Sequence, residues 1–149
     1  LFLVVLVTFT MKVMAAAGGI PDSRVDEVLE LVELTEAANK RTKNYSLGMK
    51  QRLALAGAIL GDPEVLILDE PANGLDPLGI AWLRKFLRSL AGSGRTILVS
   101  SHQLAEMQNT VDDVIIMHKG KLITSGSMKE IIKDGTLEEA FLKLTEGVN

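Results

Sequence analysis

Cysteine is absent from the chain, which excludes disulfides, thiolate zinc sites, iron-sulfur clusters and cysteine nucleophiles together and is compatible with a reducing compartment. Aromatic residues are few, with four Phe, one Trp and one Tyr, so the core has to be aliphatic. Neither sign of charge dominates. Sixteen Lys and Arg against nineteen Asp and Glu leave a net −3 and give no global electrostatic case for binding nucleic acid. The most apolar stretch, Leu1 to Met11, ends at Lys12, well short of the roughly 20 residues a membrane helix needs. What is present is a globular balance, 47% hydrophobic and 23% charged over 149 residues. That length suits one domain or a piece of a larger one, and a compact chain of this size buries roughly 68–70% of its unfolded surface.

The apolar start, followed by Ala15-Ala16-Ala17, has the outline of a signal peptide. No basic region precedes the run and the chain does not open with Met, so the expectation is instead a buried or misassigned edge of a truncated chain. The run shows no helical periodicity, which raises a sequence boundary or a shifted reading frame as its origin.

Beyond Pro21 the chain punctuates itself. Asp22 or Ser23 is placed to cap a helix with apolar positions Val25, Val28, Leu29 and Val32. A second helix opens at Ser46, runs through Leu53, Leu55, Ala56, Ile59 and Leu60, and stops at Gly61-Asp62-Pro63, with Gly61 suited to a left-handed C-terminal position. Val65-Leu66-Ile67-Leu68 is a short apolar run that reads as a strand buried on both faces, and Thr96 to Val99 and Val114 to Met117 repeat it. Helices are expected between them, from Pro77 behind an Asp76 cap to about Leu90 and from His102 to about Asn109. Alternation of this kind implies a parallel sheet. Trp82 is read as packing and His118 as structural. Lys119-Gly120-Lys121 is a tight turn before a short strand through Thr124. Ser127 to Glu130 and Thr136 to Glu139 each fit the S/T-x-x-E capping box, so two short helices close the chain.

Chemistry concentrates in VLILDEPANGLDP, Val65 to Pro77. A strand ending in two acids puts Asp69 and Glu70 at the carboxyl edge of the sheet, where open parallel sheets bind ligands. Neighbouring strand residues point oppositely, so one acid can hold a metal while the other orients or deprotonates water. A helix that starts at Ser46 offers that hydroxyl, unpaired first-turn N–H groups and the positive end of its dipole to an anion, with Gly48 permitting close approach. Lys40, Arg41, Lys43, Lys50 and Arg52 form a basic stretch read as a solvated face, with phosphate, lipid headgroup or partner contact as the alternative.

In order and spacing, YSLGMKQR (Tyr45 to Arg52), VLILDEP with GLDP, and LVSSH ending at His102 resemble the signature helix, Walker B strand, D-loop and switch histidine of ATP-binding cassette (ABC) ATPases. The resemblance runs from about Lys12 to Thr145. It implies an α/β fold, a P-loop NTPase-like parallel sheet with flanking helices, here a partial ABC ATPase domain with part of the helical subdomain. It makes Asp69 the carboxylate that holds Mg²⁺, usually through water, Glu70 the general base, and His102 the hydrogen-bond partner of the γ-phosphate. Ser46 and Gly48 would contact the γ-phosphate of ATP bound to a second nucleotide-binding domain in a head-to-tail dimer, and Asp76 would cross the same interface. The signature departs from LSGGQ, with Tyr45 for the first Leu, Leu47 for the first Gly and Met49 for Gln.

The family's phosphate loop, G-x-x-x-x-G-K-[ST], is missing: the only Gly-Lys pair is Gly120-Lys121, followed by Leu122. The expectation is a C-terminal fragment, inactive alone. Residues 1–11 are unassigned, 12–62 are a helical subdomain portion ending in the signature helix, 63–126 the second half of the catalytic core, and 127–149 C-terminal helices. The signature and the Gly-Thr-Leu-Glu-Glu-Ala-Phe tail are similar to drug-resistance and export systems. That resemblance implies a cytoplasmic ATPase subunit held at the inner face of the membrane by a separate permease, with no nucleic acid partner. Alternatives are a soluble ABC-type ATPase acting on ribosomes or DNA, although no inserted arm is visible, and a catalytically dead interaction module.

Overall fold

The computed structural model describes residues 7–146; residues 1–6 of the apolar start and 147–149 lie outside the described residues. The chain divides into two compact units, residues 1–100 and 101–149.

In the first unit, α1 (Val7–Ala17) buries Val7, Met11 and Ala15. Their spacing of four puts them on one helical stripe, so the expectation of no helical periodicity in this stretch is corrected. The stripe was hidden because Phe9, Val13 and Met14, on the other sides of α1, are apolar too and remain exposed. Helix α2 (Asp22–Leu31) buries Val25, Val28 and Leu29, as their spacing predicts. Its cap is Pro21 without a side-chain bond, not Asp22 or Ser23. Asp22 instead stands in the first turn, where an acid complements the helix dipole, and pairs with Lys12 at 3.0 Å.

Helix α3 (Leu47–Ile59) begins behind Ser46, whose Oγ accepts the Met49 N–H at 3.2 Å. At its far end the left-handed residue is Asp62 (φ 51°) rather than Gly61. The Asp62 N–H donates to Ile59 O at 3.0 Å, and its carboxylate holds Arg24 at 3.5 Å and also Arg95. Two guanidinium groups fix it where glycine's freedom alone would otherwise be needed. The hydrogen bond and charge of Arg95 keep the Asp62 carboxyl below its ordinary range, with a further contribution from Arg24.

Strands β1 (Val65–Asp69) and β2 (Thr96–Ser100) pair in parallel, with Val65 opposite Thr96, Ile67 opposite Leu98 and Asp69 opposite Ser100. The crossover helix α4 (Pro77–Gly92) buries Leu83, Phe86, Leu87 and Leu90. One sheet face presents Leu66, Leu68, Ile97 and Val99 to the core formed with the helices. The opposite face is bare: Val65 is 58%, Ile67 75% and Leu98 50% exposed. The strand expected to be buried on both faces is therefore buried on one. Mixed α/β architecture with a parallel pair and flanking helices agrees with the class expected from sequence.

The second unit contains α5 (Leu104–Gln108), β3 (Asp113–His118), β4 (Lys121–Ser127), α6 (Met128–Ile131) and α7 (Leu137–Thr145). Among the described strands, β3 is hydrogen-bonded only to β4, in an antiparallel pair, and does not extend a parallel sheet as expected. Its connection decides this: Lys119 (φ 47°) and Gly120 (φ 76°) form a two-residue turn, which can join only antiparallel neighbours. Helix α5 is shorter than the expected 102–109 because it starts after Gln103, whose N–H is held by Ser101 Oγ at 3.0 Å. Both capping boxes, Ser127 with Glu130 and Thr136 with Glu139, are formed. Leu137 is buried, and its N–H donates to Gln108 Oε1 at 2.9 Å.

Two outcomes follow from this architecture. Each large aliphatic side chain taken out of water is worth roughly 1.5–3 kcal/mol, so the bare β1–β2 face drives self-association. Size-exclusion chromatography with light scattering should show oligomers of the isolated chain, and Ile67→Lys with Leu98→Lys should shift it toward monomer; a monomeric parent with a sharp thermal transition would contradict this. The second concerns pH. Because the folded-state pKa of Asp62 lies below its unfolded value, its contribution is present above the unfolded value and is lost as pH falls through the folded one. Asp62→Asn should lower the denaturation midpoint at pH 7, and the deficit should disappear in acid; an equal deficit at both pH values would refute the linkage.

Candidate functional site

The carboxyl end of the parallel pair carries the two acids. Asp69 is the last residue of β1 and lies on the same face as Val65 and Ile67, in register with Ser100. That face is therefore apolar along its lower rows and polar at its final row. Ser100 Oγ donates to Asp69 Oδ1 and accepts the Glu70 N–H at 3.1 Å. The Ser100 carbonyl accepts the same N–H, also at 3.1 Å. Glu70 follows the strand with φ 47°, a left-handed conformation that is costly for a residue with a side chain and that occurs disproportionately at functional sites. Pairing of its N–H with two acceptors on Ser100 helps to hold it there. Asp69 and Glu70 are thus separated in role by backbone geometry: one ends the pleat, the other is turned out of it.

The start of α3 faces the loop that follows β1. Leu47, half-exposed, lies against Gly74 (φ 73°): a Cβ placed there would come within 2.5 Å of Leu47 Cδ2. Gly48 approaches Leu75, and Gln51 Nε2 donates to Asn73 O at 3.5 Å. This explains why Leu is tolerated at 47, since the facing residue has no side chain. Tyr45 is buried and donates its hydroxyl to Ala37 O at 2.8 Å, and burial pushes its phenol above the ordinary value. Asp76 caps α4, its Oδ1 accepting the Gly79 N–H at 2.7 Å, with Pro77 at the first helical position.

Two other candidates fall in different settings. His102 is exposed and lies in the second unit, before α5. In the basic stretch, Arg52 is not a solvated side chain: it pairs with Glu33, reaches Val32 O at 3.4 Å and lies 4.1 Å from the Trp82 ring centroid. Trp82 in turn stacks on Phe86 at 5.0 Å, so it is packing, as its place in α4 predicted. Sequence reasoning missed Ser100 and Gly74. The signal for Ser100 was a hydroxyl ending the strand TILVS, but its value depends on the register of β2 against β1.

The donor set fits one kind of cation. Among the described residues no three His, Asp or Glu side chains form a metal cage. A solvent-facing carboxylate with one oxygen engaged suits Mg²⁺, which keeps waters and takes phosphate oxygens alongside one or two carboxylates. It does not suit a structural metal.

Comparison with known proteins gives the family of the chain. The sequence profile of the ABC transporter family matches residues 6–73, so from residue 6 onward the apolar start, expected to lie outside the resemblance, belongs to the match. The chain is 50% identical over 113 residues to the uncharacterized ABC transporter ATP-binding protein YhcH of Bacillus subtilis, covering 75% of this chain and 37% of that protein. It is 47% identical over 117 residues to the bacitracin transport ATP-binding protein BcrA of Enterococcus faecalis, covering 78% of this chain and 38% of that one. A solved structure of the ATP-binding subunit of an ABC transporter superimposes with a TM-score of 0.82 at 27% identity, over 97% of this chain and 64% of that chain. The chain belongs to the ABC transporter ATP-binding family. It spans well under half the length of these two curated relatives.

The packing of Leu47 on Gly74 generates a prediction. Gly74→Ala should destabilise by more than about 1 kcal/mol, because it combines a positive φ with a clash. Leu47→Ala should recover part of that loss in the double variant. Denaturant unfolding of the four proteins reads the coupling, and strict additivity would show that the two residues do not meet.

Proposed function

We propose that this chain carries the signature, Walker B, D-loop and switch-histidine portion of an ATP-hydrolysing subunit of an export system. The reading rests most heavily on one observation: Asp69 and Glu70 stand at the carboxyl end of a parallel pair, with Glu70 held left-handed by Ser100. In it, residues 12–62 are a portion of the helical subdomain, 63–126 the second half of the catalytic core and 127–149 C-terminal helices. The phosphate loop that the 149 residues lack is supplied by a further segment, and the bare β1–β2 face is apolar enough to receive one.

ATP is the substrate. Bound Mg²⁺ would draw charge from the phosphate oxygens, and Asp69 would hold it. Glu70 accepts a proton from the attacking water and keeps it in line, which is most of what phosphoryl transfer asks of a protein. His102 has the role of donating a hydrogen bond to the γ-phosphate. Ser46, Gly48 and the first-turn amides of α3 are assigned the γ-phosphate of a nucleotide held by a second nucleotide-binding domain, head to tail; the helix N-terminus favours such an anion. Asp76, whose Oδ1 is committed to the Gly79 N–H, keeps Oδ2 for the same interface. Closure of that dimer would drive a separate membrane permease from the cytoplasmic side. An export role is supported by the name of BcrA, a bacitracin transport protein at 47% identity. No helix among the described residues is long and apolar enough to cross a membrane.

A chimera tests the proposal: the matching 113-residue segment of YhcH is replaced by that of this chain. ATP turnover should survive the exchange. Glu70→Gln should then lower turnover by about 10²–10⁴-fold and accumulate an ATP-bound dimer. Undiminished turnover in that variant would remove Glu70 from its role.

A further inference from the structure

We propose that Ser100 is a positioning residue that presents Asp69 as a one-oxygen ligand, and that it thereby favours small octahedral cations, Mg²⁺ or Mn²⁺, over Ca²⁺. The inference rests on the reading of Asp69 as the metal-holding carboxylate. Its basis is the last row of the parallel pair, where Asp69 and Ser100 are in register. Ser100 Oγ has a single hydrogen to give. It accepts the Glu70 N–H at 3.1 Å, and its own hydrogen goes to Asp69 Oδ1. Donor and acceptor capacities of the hydroxyl are therefore both directed, and Asp69 presents Oδ2 as its more available oxygen for direct contact with a cation.

Coordination chemistry turns that into selectivity. Ca²⁺ takes six to eight oxygens at about 2.3–2.6 Å and accepts bidentate carboxylates, whereas Mg²⁺ is octahedral at about 2.0–2.1 Å and retains water. An oxygen that already accepts a hydrogen bond is a weaker and more constrained ligand, so the Ser100 bond disfavours the bidentate mode and leaves Oδ2 as the better donor. Removing the hydroxyl frees both oxygens and relieves the discrimination against Ca²⁺. Glu70 is less affected, since the Ser100 carbonyl still accepts its N–H.

The test is the ratio of Ca²⁺ to Mn²⁺ affinity, which general damage to the fold does not shift in one direction. Free Mn²⁺ is read by its electron paramagnetic resonance signal, with Ca²⁺ as competitor, on the full 149-residue chain in whatever oligomeric state it adopts. Ser100→Ala should move the ratio toward Ca²⁺ by roughly fivefold or more, as expected when a bidentate mode opens. Ser100→Thr, which keeps the hydroxyl and suits a strand, should leave it at the parent value. An unchanged ratio in Ser100→Ala, or an equal shift in Ser100→Thr, overturns the proposal. Asp69→Asn separates the two layers: it should abolish the site, and Mn²⁺ binding that persists unchanged removes Asp69 as the ligand and this inference with it, whereas a parent that binds no Mn²⁺ at millimolar concentration overturns this inference alone, since the proposed function holds the metal with ATP phosphates as well.

Discussion

The hydrogen-bonded pairing of Asp69 with Ser100 at the top of two parallel strands is the constraint on which the rest of the site depends. Parallel pairing brings both chains to the same edge, and the two-residue period of a strand places Asp69 and Ser100 on one face above Ile67 and Leu98. The next peptide then turns left-handed at Glu70, with its N–H held by Ser100. One register thus decides which acid faces outward, which is turned aside, and what fixes each. A slip of one residue would send Asp69 to the core face.

Around this edge, Tyr45 and Leu47, which depart from the family signature, and Arg52 beyond them have scaffold roles. Tyr45 fills the core and satisfies the Ala37 carbonyl, and Leu47 rests on a glycine in the loop after β1. Arg52 joins an ion pair to a cation–π contact of the kind worth about 0.5–1 kcal/mol at exposed sites. Ser46 and Asp76, the retained polar residues, each cap a helix. A cap and a phosphate contact are compatible uses of such a residue, because capping engages one acceptor and leaves the first amides of the helix oriented outward.

Much of this was legible in the sequence because it is local. Ser46, Asp76 with Pro77, and the two S/T-x-x-E boxes announce helix starts through bonds that span three residues. The acid-tipped strand was legible through its length and its bounding Pro63. What escaped depends on distant partners. Whether Val65 and Ile67 are covered depends on a neighbouring layer, and an apolar run looks the same with or without one. The left-handed Asp62 depends on Arg24 and Arg95, far away in sequence. The antiparallel partner of β3 was signalled by Lys119-Gly120, but alternation with helices pointed the other way. Ser100 became visible only once β2 was set against β1.

The most direct test of the central claim, that the Asp69–Ser100 row and Glu70 form the metal-phosphate end of the sheet, is iron-directed backbone cleavage in the YhcH-based chimera with ATP. Fe²⁺ replaces Mg²⁺, ascorbate and peroxide generate local oxidant, and the fragments are sized by mass spectrometry. The account predicts ATP-dependent cuts next to Asp69 and Glu70, suppressed by excess Mg²⁺. Cuts confined to other segments, with residues 69 and 70 intact, would contradict it.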